Sequence, residues 1–121
     1  MADAVPRAGD EFSMMTWPVE GAMVLSLGGE LDIATAARLT DRVRALVEQG
    51  HTRVVLDLAH LDFCDCTGLR ALLVARGIAT EAGGWVRLSR VGVLTRHIIE
   101  ITGLAEALMC YDSSSSAVVT G

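Results

Sequence analysis

Short apolar runs that are typical of β-strands alternate with helical patterns along most of the chain. Residues 12–17 and 22–27 are two such runs, and the connector between them contains a proline and a glycine, which predicts an antiparallel hairpin. Residues 34–49 repeat apolar positions at helical spacing and precede Gly50, a residue common just after a helix. The pattern therefore predicts a hairpin that continues into a helix.

The rest of the chain repeats this alternation. A β-branched run at 53–58 predicts a third strand, which a short loop connects to an apolar helix at 67–82. We further expect strands at 85–88 and 107–111, a helix at 93–101, and a short last helix after a turn of four serines. A strand, a helix and a strand in succession imply a crossover and parallel pairing.

These elements predict an α/β fold with a mixed five-stranded sheet. An N-terminal antiparallel hairpin would be followed by parallel β-α-β units, with about four helices in all. Residues 1–11 are polar and contain a proline and a glycine, so we expect a flexible N-terminal tail. Residues 12–121 are expected to form a single domain, because the chain length suits one hydrophobic core.

Composition narrows the possible functions. The chain of 121 residues is 51% hydrophobic and 21% charged, as globular proteins are. Its net charge is −5, and its ten basic residues are all arginines that are scattered along the sequence, so no nucleic-acid partner is expected. No signal peptide opens the chain and no apolar run approaches the ~18–20 residues that span a bilayer. We therefore expect a cytoplasmic protein without direct membrane insertion.

The residues give no indication of an enzyme, a metal site or a cofactor. There is no lysine for a Walker-type loop and no Ser-His-Asp set with its supporting motifs. Cys64 and Cys66, one residue apart, lack the spacing and further ligands of a closed zinc site. Together with Cys110 they are expected to be reduced thiols, with Cys64 in the core. A thiol enzyme built on Cys66 is the least favoured hypothesis.

The most informative segment is 56–69, which reads as a buried strand, a short loop and the start of an apolar helix. Asp65, Cys66 and Thr67 stand at the N-terminal end of that helix, and Asp65 is placed to cap it. Free backbone N–H groups and the positive end of the helix dipole make this position suited to an anion or a regulatory phosphate.

Three motifs, taken in order, carry a family resemblance. They are Gly29-Glu30-Leu31-Asp32 with Thr35-Ala36; then Leu56-Asp57-Leu58 with Leu61, Phe63, Asp65 and Gly68-Leu69; and finally Gly83-Gly84, Arg96 and Ile101-Thr102-Gly103-Leu104. With this order and spacing, the chain over residues 12–112 resembles the STAS domain, and specifically the stand-alone bacterial anti-sigma factor antagonists. The resemblance implies the STAS-type form of the mixed five-stranded sheet.

The resemblance also implies an interaction protein in a partner-switching circuit, working as a monomer or weak dimer. Such antagonists bind an anti-sigma factor, commonly a GHKL-type serine-protein kinase, and so release a sigma factor. The kinase inactivates the antagonist by phosphorylating the residue after the motif Asp, and a phosphatase restores it. The alternative is a STAS interaction subunit of a membrane-transport or stress-signalling complex.

The sequence departs from the family at the phosphoacceptor position. Family members usually carry Ser there, whereas this chain has Cys66, whose thiol cannot serve as the usual O-phosphorylation site. Three alternatives follow. The antagonist escapes kinase control and stays competent to bind, Thr67 replaces residue 66 as the phosphoacceptor, or another regulatory input acts.

The expected partner-binding surface surrounds the start of the second helix. Its residues are Asp32, Asp65, Cys66, Thr67, Gly68, Leu69, Arg70, Leu73 and Val74. Gly68, which has no side chain, would let the partner's backbone approach. Because this helix is apolar most of the way round, either the neighbouring helix or a partner must cover Leu73 and Val74.

Overall fold

A computed structural model describes residues 12–119. Its elements are β1 (Ser13–Val19), β2 (Ala22–Leu31), α1 (Ala36–Glu48), β3 (Arg53–Cys64), α2 (Cys66–Glu81), β4 (Trp85–Ser89), α3 (Val93–Ile101), β5 (Cys110–Tyr111) and α4 (Ser114–Val119). Within these residues the predicted α/β fold, with five strands and four helices, is confirmed. The predicted tail at residues 1–11 lies outside the described residues.

The sheet is mixed, and its strand order β1-β2-β3-β4-β5 follows the chain. β1 and β2 form the predicted antiparallel hairpin, while β2, β3, β4 and β5 pair in parallel. Helices α1, α2 and α3 contribute to the main core on one face of the sheet. On the opposite face, Ala117 of α4 packs against Val24 and Val55.

β2 and β3 extend further than the sequence indicated. The sequence predicts these strands at 22–27 and 53–58, with a short loop after the latter, but β2 runs to Leu31 and β3 to Cys64. The two strands stay paired across two register shifts, with Gly28 opposite His60 and Leu31 opposite Cys64. Such irregularities let two strands stay hydrogen-bonded past residues whose apolar and polar side chains do not alternate regularly.

The C-terminal elements also differ from the prediction. β5 is limited to two residues because the chain before it makes a turn, in which the Leu108 N–H donates to the Leu104 carbonyl at 2.8 Å. Three of the four serines lie inside α4 rather than in a turn before it. Ser113 Oγ accepts from the Ser116 N–H at 3.1 Å and Ser116 Oγ accepts from the Ser113 N–H at 3.2 Å, a reciprocal cap at the helix start.

An ion pair between a buried aspartate of β3 and an exposed arginine just after β4 links the two strands. Asp57 is fully buried, and Arg90 donates to both of its oxygens, from Nε to Oδ1 at 3.0 Å and from Nη2 to Oδ2 at 2.6 Å. The hydroxyl of Ser89 lies 3.3 Å from Oδ1 as a further donor. Arg90 has a φ of 52°, which is uncommon for a residue with a long side chain. The bidentate pair helps to hold this left-handed turn.

The pKa of Asp57 lies below its ordinary value. Burial acts to raise this pKa, but the hydrogen bonds and the charge of Arg90 outweigh burial, with smaller contributions from Ala59 and Ser89. Because the folded pKa is lower than the unfolded one, the carboxylate stabilises the fold above the unfolded value near 3.8. That contribution is lost as the pH falls through the lower folded pKa.

Asp57→Asn tests this pair. At pH 7 we expect the free energy of unfolding to fall by about 1–3 kcal/mol, because Arg90 loses its charged partner. Urea unfolding should show the difference from wild type shrinking as the pH is lowered from 7 to below 3.8. Asp41→Asn, which removes an exposed pair with Arg44, is the control and should cost under about 0.5 kcal/mol. A pH-independent difference would contradict the assignment.

Candidate functional site

The turns that follow β2 and β3 meet at one edge of the sheet. The two parallel strands end together, with Leu31 opposite Cys64, and the Asp65 N–H donates to the Leu31 carbonyl at 3.3 Å. The next residue after each strand is an aspartate, Asp32 in one turn and Asp65 in the other. The structure thus places the turn that carries Asp32 beside the N-terminus of α2.

Asp65 caps α2. Its backbone is extended, and its Oδ1 accepts the Gly68 N–H at 2.9 Å. The Asp65 carbonyl accepts the Leu69 N–H at 2.8 Å and so begins the helix. The carboxylate satisfies one of the free N–H groups at the helix end and places a negative charge at the positive end of the dipole.

Asp32 is held by the turn that precedes α1. Its Oδ1 accepts the Ala34 N–H at 3.0 Å, and its own N–H donates to Thr35 Oγ1 at 3.0 Å. The buried Thr35 hydroxyl lies 2.7 Å from the Glu30 carbonyl and 3.2 Å from Asp32 Oδ1. These contacts give Asp32 a turn-forming role and leave its side chain half-buried.

Two of the predicted partner-binding residues are buried instead. A Cβ added to Gly68 would lie 2.2 Å from the Leu31 carbonyl oxygen and 3.0 Å from Cys64 Sγ. The close approach that the sequence suggested for a partner's backbone is therefore made by the chain's own β2. Leu69 belongs to the main core. Gly68 and Leu69 lie beneath the solvent-exposed side chains and are not themselves part of the surface.

Cys66 and Thr67 face different sides of the α2 N-terminus. Cys66 is exposed and lines a groove formed with the end of β3 and the start of α3. Thr67 is half-buried and lines a second, shallower groove with Arg70 and Val74, bounded on its other side by α1. Adjacent positions at a helix start point about 100° apart, so the two side chains cannot occupy equivalent places.

The apolar face of α2 is covered in part by its neighbour. α1 packs along α2, and Leu73 and Ile78 are half-buried against the main core. For Leu73, intramolecular packing therefore accounts for its apolar character. Val74 remains 43% exposed, next to the exposed Arg70. The surface at the start of α2 consists of Asp32, Asp65, Cys66, Thr67, Arg70 and Val74, which we call the α2 surface.

The three thiols have different environments. Cys64 is buried, which raises its pKa to about 12, with the Asp65 and Cys66 charges adding to the shift. Cys110 is half-buried, and burial raises its pKa as well. Cys64 therefore remains a protonated thiol near neutral pH, and only Cys66 of the three is exposed. Within residues 12–119, no three His, Cys, Asp or Glu side chains are arranged to hold a metal ion.

Sequence reasoning missed four exposed apolar side chains near the α2 surface. They are Ile33 in the turn after β2, Phe63 near the end of β3, and Val93 and Leu94 at the start of α3. For Val93 and Leu94 the available signal was two adjacent apolar residues directly after Gly92, because neighbouring helix positions point about 100° apart and do not share one packed face. None of the helices in the described part of the chain is long and apolar enough to cross a membrane.

Comparison with known proteins identifies relatives over most of the chain. The family profile described as "Mlab, STAS domain" matches residues 18–111. The anti-sigma-F factor antagonist RsfB of Mycobacterium tuberculosis is 29% identical over 113 residues, which is 92% of this chain and 90% of that protein. An anti-sigma F factor antagonist of Paenibacillus polymyxa is 27% identical over 103 residues, 81% of this chain and 85% of that protein.

A solved structure has the same architecture. The crystal structure of an anti-sigma factor antagonist from Mycobacterium paratuberculosis matches with a TM-score of 0.80 at 24% sequence identity. The match covers 94% of this chain and 96% of that chain. It establishes that the strand order and helix placement described above belong to a known fold.

Two glycines of α2 test how the site is supported. Gly68→Ala should lower the free energy of unfolding by about 1–3 kcal/mol, because the new methyl group overlaps the Leu31 carbonyl. Gly77→Ala is the matched control, since a Cβ there meets nothing within 4 Å and alanine favours the helix by up to about 1 kcal/mol. Thermal or urea unfolding measures both. Equal stability of the two variants would contradict the close approach.

Proposed function

The chain belongs to the STAS domain family, and from this membership we propose that it is an anti-sigma factor antagonist formed by one STAS domain over residues 12–121. It binds an anti-sigma factor of the GHKL serine-kinase type and so releases a sigma factor. The observation that carries the proposal is the capped, solvent-facing start of α2, where Cys66 follows Asp65. Curated relatives that align over most of this chain and are named anti-sigma factor antagonists support it.

The α2 surface suits contact with a protein. It combines the acidic Asp32 and Asp65 with the exposed Arg70 and the partly exposed Val74. Charged groups at the rim of an interface set the orientation of the partner, while apolar groups contribute affinity when they lose contact with water. The Asp32 and Asp65 side chains are held by a turn and a cap of the chain itself, so these two groups need little ordering on binding.

Position 66 determines how the antagonist is regulated. A thiol provides no hydroxyl for the transfer of a phosphoryl group to oxygen, and the neighbouring Thr67 is half-buried and faces α1. We therefore favour an antagonist that escapes kinase control and stays competent to bind. Thr67 as a substitute acceptor and another regulatory input are the alternatives.

Cys66→Asp tests whether position 66 lies in the interface. A second carboxylate beside Asp65 adds repulsion and a desolvation cost on binding, so we expect the Kd for the anti-sigma factor to rise about tenfold to hundredfold. The partner is first captured from a lysate of the source organism with the tagged chain, identified by mass spectrometry, and purified for calorimetry. Ser115→Asp, at an exposed position on α4, is the matched control and should bind normally.

Either of two results would count against this proposal. Unchanged affinity of the Cys66→Asp variant would remove position 66 from the interface. Capture of a transporter or a stress-signalling assembly, with no anti-sigma factor, would instead support the alternative of an interaction subunit in such a complex.

Cys66→Ser tests the escape from kinase control. With the captured kinase and ATP, we expect no phosphate on the wild-type chain and phosphorylation of the Cys66→Ser variant, read by mass spectrometry of the intact protein. The double change Cys66→Ser with Thr67→Val should be phosphorylated as well. Phosphate on the wild-type chain that disappears in Thr67→Val would show instead that Thr67 is the acceptor.

A further inference from the structure

The groove on the Cys66 side of α2 is mostly apolar. It encloses about 410 Å³ between the end of β3 and the start of α3. Three of its side chains are large, apolar and exposed: Phe63 at 49%, Val93 at 88% and Leu94 at 71%. Leu61 and Ile98 are half-buried and also line it. Clusters of large exposed apolar side chains are typical of surfaces that another molecule covers.

The charged side chains that line this groove, all in the described part of the chain, are acidic. Asp62 and Asp65 lie on its β3 side, together with Cys66. Asp62 is exposed, and Asp65 is half-buried as the cap of α2. An apolar cavity with carboxylates along one side is complementary to an apolar side chain that stands next to a basic one.

We propose that this groove binds a large aliphatic or aromatic side chain that the anti-sigma factor presents beside an Arg or Lys. The inference rests on the proposed function, because the groove shares Asp65 and Cys66 with the α2 surface. The apolar side chain would contact Phe63, Val93 and Leu94, and the basic group would lie near Asp62 and Asp65.

A second copy of this chain is a poorer fit. The chain carries a net charge of −5, so two copies repel each other at neutral pH. A symmetric contact through the groove would also bring the two sets of Asp62 and Asp65 close together, which costs energy unless a cation lies between them. A partner with basic groups relieves this repulsion instead of adding to it.

Leu94→Ser tests the inference, and Ile101→Ser is the matched control. Both side chains are on α3 and exposed, at 71% and 68%, but Ile101 does not line the groove. With the captured anti-sigma factor, we expect Leu94→Ser to raise the Kd about tenfold or more and Ile101→Ser to leave it within about twofold. Circular dichroism and thermal unfolding verify that both variants are folded.

A second measurement does not need the anti-sigma factor. The probe is the tripeptide Arg-Leu-Arg, blocked at both ends, titrated into the ¹⁵N-labelled chain and followed by NMR. We expect weak binding, with a Kd of about 1–10 mM, because a tripeptide makes few contacts. Amide chemical shifts should change at Phe63, Val93 and Leu94. These shifts should be absent in Leu94→Ser and present in Ile101→Ser. The peptide Arg-Ser-Arg should give no groove shifts.

The outcomes separate this inference from the proposed function. If the anti-sigma factor binds wild type and Leu94→Ser equally, the groove inference is wrong while the antagonist proposal stands. If no anti-sigma factor binds the wild-type chain, the antagonist proposal fails and the tripeptide alone tests the groove. Absence of tripeptide shifts at the groove overturns the inference. Concentration-dependent dimerisation that Leu94→Ser abolishes would also overturn it, since the occupant would then be a second copy.

Discussion

The contact between the start of α2 and the carbonyl of Leu31 determines the geometry of the whole site. That oxygen accepts the Asp65 N–H, and Gly68 lies so close to it that no side chain fits between them. The contact fixes the β3–α2 turn against the end of β2 and thereby sets where Asp32 and Cys66 stand relative to one another.

Much of the fold was predictable because its signals are local. The connector after β1, the glycines after α1 and α2, and the β-branched run in β3 each mark an element by residue type and spacing. The cap by Asp65 was equally local and is confirmed. The extension of β3 to Cys64 was not predictable from local signals. It depends on pairing with β2 across irregular registers, and residue types alone do not encode a partner strand.

For the candidate site, the position of the segment along the fold was predictable, but the exposure of its side chains was not. Sequence placed Asp65 and Cys66 at the start of the second helix, where the structure has them, but it could not separate side chains that face solvent from those that face the core. Gly68 and Leu69 were therefore assigned to the surface, while Val93 and Leu94 passed unnoticed. The grooves on the two sides of the α2 N-terminus combine residues that are distant in the chain. One is created by the packing of α1 beside α2, and the other by the position of α3 opposite the end of β3.

The order of the strands bears on how the chain reaches this structure. Each strand pairs with the strand that precedes it, so the sheet can grow by one edge at a time as the polypeptide leaves the ribosome, with no earlier pairing to be broken. In chain order, the turns that carry Asp32 and Asp65 and the helix α2 all precede β4. The α3 side of the Cys66 groove is synthesised after α2 and β4, so a nascent chain contains the residues of the capped helix start before those that close that pocket.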